Sequence, residues 1–237
     1  AVYMLLRFML DIFGIDFSLG RMPLEYILLP VGVLGILSAS LVAIYQVEVK
    51  RLLAYSSVAQ IGYMVLGIGL ASTTGVTGAI LHLFNHALMK GALFLALAAV
   101  AYRLGSTTLQ DLAGLGRRMP WTLSAIVVGG LSLIGVPGTV GFVSKWYLVL
   151  AALERGLWPV ALLILLGSLL AVVYVWKLVE AAYLTKPQGD VAVQEAPLSL
   201  LVPLWLLVIA NVYFGVQTDV SVGLAGQAAA VLTGGAG

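Results

Sequence analysis

The chain has 237 residues, of which 62% are hydrophobic and 9% charged, with a formal net charge of +2 and a mean hydropathy of +1.09. Soluble domains carry about 25% charged residues, so a water-solvated globule is excluded. The absence of cysteine also excludes disulfides, thiolate metal sites and cysteine-held iron–sulfur clusters.

Residues 1–14, opening "AVYMLLRFML", read as the interior of a helix, with neither an initiator Met nor the layout of a signal peptide. The expectation is a piece of a larger protein, or half of a split one. Apolar runs of about 20 residues or more, enough to cross a bilayer, follow near 23–45, 51–71, 76–102, 121–152, 158–184 and 199–216. Their periodicity is weak, as in helices apolar on most faces. They lack the alternation of barrel strands, and an open sheet leaves its backbone unsatisfied in lipid. The fold class is therefore an all-α integral membrane bundle, one unit over 1–216. The small-residue tail 217–237 is expected to be poorly ordered.

Alternating the loops places Lys50, Arg51, Arg103, Arg117, Arg118 and Lys186 on one side and Arg21 and Arg155 on the other. The positive-inside rule makes the first side cytoplasmic and puts the C-terminal tail outside.

The segment "HLFNHALMKGALFL" holds both histidines of the chain, His82 and His86, followed by Lys90. Four-residue steps drift by only about 40° each around a helix, so the three groups form one polar stripe. A charge near the middle of a span costs about 2.5–3.5 kcal/mol on the lenient insertion scale, so the stripe must face protein or water. Further on, "IGVPGTVGF" interrupts the 121–152 run, which is overlong for one upright span. Pro137 removes a backbone donor and Gly135, Gly138 and Gly141 loosen the chain, so a discontinuous helix is expected with its break at Ile134–Gly138. Lys145 follows about two turns later.

Histidine and desolvated lysine are proton-exchanging groups, and a row of them in a membrane reads as a proton relay. Metal binding fits less well, because no nearby Asp, Glu or Cys completes a His82–His86 pair. No phosphate-binding loop, hydrolase nucleophile or nucleic-acid surface is present, and no cofactor is expected. Tyr55, Ser56, Ser57, Gln60 and Tyr63 offer either donors to a hydrated path or simple interhelical hydrogen bonds. Lys177 and Glu180 read as a snorkelling surface pair.

Four stretches, "VEVKRLLAYSSVAQIGYMVLGIGL", "ILHLFNHALMKGALFL", "LQDLAGLGRRMPWT" and "SLIGVPGTVGFVSKWYL", together resemble the antiporter-like subunits of Mrp-type cation/proton antiporters, NADH:quinone oxidoreductase (complex I) and membrane-bound hydrogenases. The resemblance implies two inverted repeats, each with a broken helix, and buried Lys, His and Glu crossing the membrane centre; this chain matches the second repeat. It implies that Lys145 is the charged residue of the broken helix. It likewise makes His82, His86 and Lys90 the central stripe, in a form nearest to the Mrp and largest complex I subunits. Lys50 and Arg51 match the basic pair opening the "LAYSS" helix, with Glu48 where the family usually has Asp. Lys50, Tyr55, Ser56 and Gln60 are then candidates along the pathway. The first repeat, with its glutamate–lysine pair, is missing, and no carboxylate lies at mid-membrane depth.

These observations lead to the expectation of a membrane subunit moving protons, with Na⁺ as a further candidate ion, inside a larger antiporter or redox-driven complex. Its partners are other membrane subunits, one of them supplying the missing repeat and setting carboxylates or waters against Lys90 and Lys145. A non-transporting scaffold and a quinone-site subunit are the alternatives.

Overall fold

The computed structural model describes residues 2–14, 17–18, 22, 24–186 and 193–234. Arg21 and the start of the expected span at 23 lie outside the described residues. Every regular element among the described residues is helical, and one isolated antiparallel bridge joins Glu48 to Thr108. The helices are α1 (Val2–Leu6, continuing as a π-turn through Ile12), α2 (Glu25–Ile44), α3 (Val49–Gly69), α4 (Thr73–Leu104), α5 (Pro120–Ile134), α6 (Val140–Glu154), α7 (Trp158–Val179, continuing as a π-turn through Leu184), α8 (Leu198–Val216) and α9 (Asp219–Leu232). Helices α2, α3, α4, α7 and α8 are each long and apolar enough to cross a membrane. Helices α5 and α6, at 15 residues each, cross only as a pair.

The 32-residue α4 is the axis of the bundle, touching α3, α5, α6, α8 and α9. Both of its ends are fixed by local chemistry. Ser72 Oγ accepts the Gly75 amide at 3.0 Å at the start, an N-cap that satisfies one of the orphan donors. At the other end Gly105 takes the left-handed conformation, φ 72°, and its amide donates to the Ala101 carbonyl, as a glycine C-cap does. Helices α2 and α3 pack so closely that a Cβ at Gly62 would lie 2.8 Å from the Gly32 carbonyl oxygen and the Ile36 nitrogen. Without a hydrophobic drive between helices in lipid, such small-residue contacts supply the van der Waals attraction.

One end of the bundle gathers the start of α3, the ends of α4 and α7 and the start of α8. The Val49 amide donates to the Thr107 carbonyl and the Leu109 amide to the Val47 carbonyl. Arg103 reaches the Glu195 carbonyl. In the connecting loop the Asp111 carboxylate accepts from Ser106 and Thr108, and those hydrogen bonds hold its carboxyl below the usual range. At the opposite end Arg155 pairs with Glu25 at 2.8 Å and donates to the Leu70 carbonyl. A face of α7 bearing Leu162, Leu165, Leu169, Val172, Val173 and Trp176 is exposed, an apolar surface suited to lipid.

Two expectations need correction. The stretch 217–237 is not a disordered tail throughout: Asp219–Leu232 is helical. It lies along the first half of α4, burying Ala225 and Ala229, and Thr233 hydrogen-bonds Thr73 at 3.0 Å. Ala225 and Ala229 are the small residues that make this contact, whereas a Cβ at Gly223 or Gly226 would meet nothing within 4 Å. Lys177 does not pair with Glu180. Its ammonium donates instead to the carbonyls of Ile44 and Gln46, at the C-terminal end of α2, where the last carbonyls lack intrahelical donors and the macrodipole favours a cation.

Gly62→Leu should disrupt the α2–α3 contact and cost about 1–3 kcal/mol, the usual price of overpacking. Gly223→Ala, where an added Cβ meets nothing within 4 Å, should be neutral or stabilise by about 0.5–1 kcal/mol. Thermal unfolding in detergent distinguishes the two.

Candidate functional site

The site begins at the break between α5 and α6. Gly135, φ 92°, ends α5 in the left-handed region, and Gly138, φ 87°, turns the chain again one residue after Pro137. The amides of Gly135 and Val136 both return to the Leu131 carbonyl. The Leu133 and Ile134 carbonyls, with no next turn of helix to donate to them, accept from Lys145. Its Nζ donates to them at 2.8 and 3.0 Å, and to Ser168 Oγ on α7 at 3.1 Å. A cation at a helix C-terminus is also stabilised by the macrodipole, by up to about 2 kcal/mol in partly buried geometries. Gly141 lets α6 lie against the Ser132 backbone, where any Cβ would clash, and the Gly141 amide donates to Ser132 Oγ at 3.2 Å.

The next group is the Tyr63 ring, 4.7 Å from Lys145 Nζ to its centroid, a cation–π distance. Tyr63 donates to the Ile164 carbonyl at 3.2 Å, and its ring lies 5.5 Å from that of His82. His82 is fully buried and bridges two helices: Nδ1 meets Ser144 Oγ at 2.8 Å and Nε2 meets Gln60 Oε1 at 2.9 Å. Since Oε1 can only accept, Nε2 carries the proton, and Nδ1 accepts from the Ser144 hydroxyl. Ser144 also lies 3.4 Å from the Val140 and Gly141 carbonyls. Its hydroxyl can therefore turn to a carbonyl when Nδ1 takes a proton.

His86 and Lys90 follow on α4. His82 lies within electrostatic range of Lys145 and His86, and His86 within range of Lys90. The His86 Nε2 is buried and makes no hydrogen bond to a described residue. Lys90 donates to the Leu53 carbonyl at 2.8 Å and to Ser56 Oγ. Both lysines are only 5% exposed, and neither forms an ion pair with a described residue. Their partners are all neutral.

The structure thus brings together His82, His86, Lys90, Lys145, Ser56 and Gln60, with the break at Gly135, Pro137 and Gly138. Lys50 and Tyr55 are exposed and stand apart from the cluster. Sequence reasoning missed Ser144 and Ser168. The signal for Ser168 was present: it is the one serine within the apolar run of α7, and polar groups in such helices bond across helices.

The model of the NADH:quinone oxidoreductase/Mrp antiporter transmembrane family matches residues 1–171. The chain belongs to that family. It is 41% identical over 198 residues to NADH-quinone oxidoreductase subunit N of Desulforudis audaxviator, covering 78% of this chain and 40% of the relative. It is 33% identical over 195 residues to F(420)H(2) dehydrogenase subunit L of Methanosarcina mazei, covering 77% and 29%. Among solved structures, the Mrp complex from Dietzia sp. DQ12-45-1b superposes with a TM-score of 0.90 at 25% identity, over 98% of this chain and 51% of the other. The chain spans about half the length of these proteins or less. It is a multi-pass membrane member of the family, with the family's antiporter-like fold.

Gly135→Ala should strain the left-handed cap by about 1–2 kcal/mol and press its Cβ to 3.0 Å from the Lys145 Cδ. A lowered melting temperature in detergent is the expected result. Gly138→Ala, equally left-handed but with open space around it, should show the backbone strain alone.

Proposed function

We propose that this chain carries protons across part of the membrane along the sequence Lys145, His82, His86 and Lys90, as a subunit or part-subunit of an antiporter or redox-driven complex. The observation that carries this reading is that, among the described residues, both buried lysines are held by neutral acceptors. An ammonium locked to a buried carboxylate leaves an uncompensated charge behind when it loses its proton. One held by carbonyls and hydroxyls leaves none. His82 supplies the intermediate site, its Nδ1 open to protonation and Ser144 able to reverse its hydrogen bond. Na⁺ remains a further candidate for the coupled ion, and the driving force comes from partner subunits.

Lys145→Ala and His86→Ala should lower proton translocation by about 100-fold or more, the lower end of what a positioned proton-transfer group contributes, while the complex still assembles. A group that only joins helices is worth about 0.6 kcal/mol on average, so a scaffold would lose some stability and no transport. Proton uptake by vesicles containing the assembled complex, alongside pull-down of its subunits, separates the two; full uptake by both variants removes these residues from the mechanism.

The end bearing Lys50, Arg51, Arg103, Arg117, Arg118 and Lys186 is assigned to the cytoplasm of a cell membrane by the positive-inside rule. A reporter fused to the last residue should then be active only outside the cytoplasm, and cytoplasmic activity would reverse the assignment.

A further inference from the structure

At the basic end of the bundle, away from the buried relay, a recess of about 270 Å³ lies between the loop before α5 and the π-turn that ends α7. Arg117, Arg118, Tyr183, Thr185 and Lys186 line it. The recess is built into the fold. The Gly114 amide donates to the Ala181 carbonyl, tying loop to turn. Tyr183 lies flat over Gly116, where any side chain would collide with its ring. Arg117 and Lys186 are exposed, and neither forms an ion pair with a described residue. The carboxylate of this turn, Glu180, opens instead onto the adjoining recess beside Lys177.

We infer that this recess binds the phosphate of an anionic phospholipid. Guanidinium and ammonium groups around a hydroxyl-bearing rim match a phosphate diester in charge and in donors. The apolar surface leading to the recess selects a lipid over a free anion. The exposed face of α7, through Leu169, Val172, Val173 and Trp176, is followed after the exposed Glu180 by Tyr183 and Leu184 at the rim. The span Trp158–Leu184 has 27 residues, roughly 40 Å at 1.5 Å per residue, against a hydrocarbon core of about 30 Å. Its end therefore stands at headgroup depth, with acyl chains able to lie along α7 below it. The π-turn matters here, because widening the last turn swings Tyr183 over the loop and closes one wall.

The test is native mass spectrometry of the full chain in neutral detergent, titrated with phosphatidylglycerol, phosphatidylcholine or inorganic phosphate. One phosphatidylglycerol should bind in preference to phosphatidylcholine. Arg117→Gln combined with Lys186→Gln should weaken that binding by roughly 30-fold, the weight of two interfacial cations. Lys50→Gln, an exposed cation at the same end, should leave it unchanged. Arg117→Gln alone, an exposed change that spares the core, should show roughly a fivefold loss, so a failure of the double variant to fold does not shelter the idea. Unchanged binding in the Arg117 variant, or equal binding of phosphatidylcholine, overturns the site. Displacement of the lipid by inorganic phosphate at equal concentration overturns the lipid assignment in favour of a free-anion site.

Discussion

A helix that ends inside a membrane leaves its last carbonyls with neither a next turn nor water, and the bundle is arranged around that problem at Ile134. The solution is Lys145, which reaches back from the second turn of α6 to the carbonyls of Leu133 and Ile134. The same contact answers the converse difficulty, that an ammonium at this depth needs acceptors. Two groups that would each be costly alone satisfy one another. Ser168 completes the shell from α7, so three helical segments meet at one nitrogen.

From that nitrogen the polar interior extends along one face of α4. Two of its ionisable groups are anchored on neighbouring helices, His82 on α3 and α6 and Lys90 on α3. The partners of these groups are hydroxyls, an amide and carbonyls, so no fixed charge among them opposes the loss of a proton. Glycines at close approaches, Gly62 between α2 and α3 and Gly141 against Ser132, let the helices lie backbone to backbone.

Much of this could be read from residues in order. Span positions follow from apolar length. The break follows from Gly135, Pro137 and Gly138, whose φ preferences are local properties. The stripe follows from four-residue spacing, which fixes a face once a helix is assumed. What spacing cannot supply is which helix each face meets. The acceptors of Lys90 and Lys145 are not marked in the sequence, because backbone carbonyls, present at every residue, become available to a side chain only where tertiary structure frees them. Ser144 and Ser168 join the cluster for the same reason, and Tyr55 lies on the exposed side of α3. The helix α9 was hidden by composition: alanine, glycine and valine look featureless until a neighbour such as α4 gives them a surface to fit.

The junction between α8 and α9 falls just beyond Gly215, and a Cβ placed there would sit 2.5 Å from the Thr139 backbone and 2.7 Å from the Gly138 carbonyl oxygen. The two interruptions in the bundle therefore touch main chain to main chain. Side chains elsewhere absorb small shifts by changing rotamer, acting as springs between helices. At this point no side chain intervenes, and the end of α8 rests on the main chain of the turn that leads into α6.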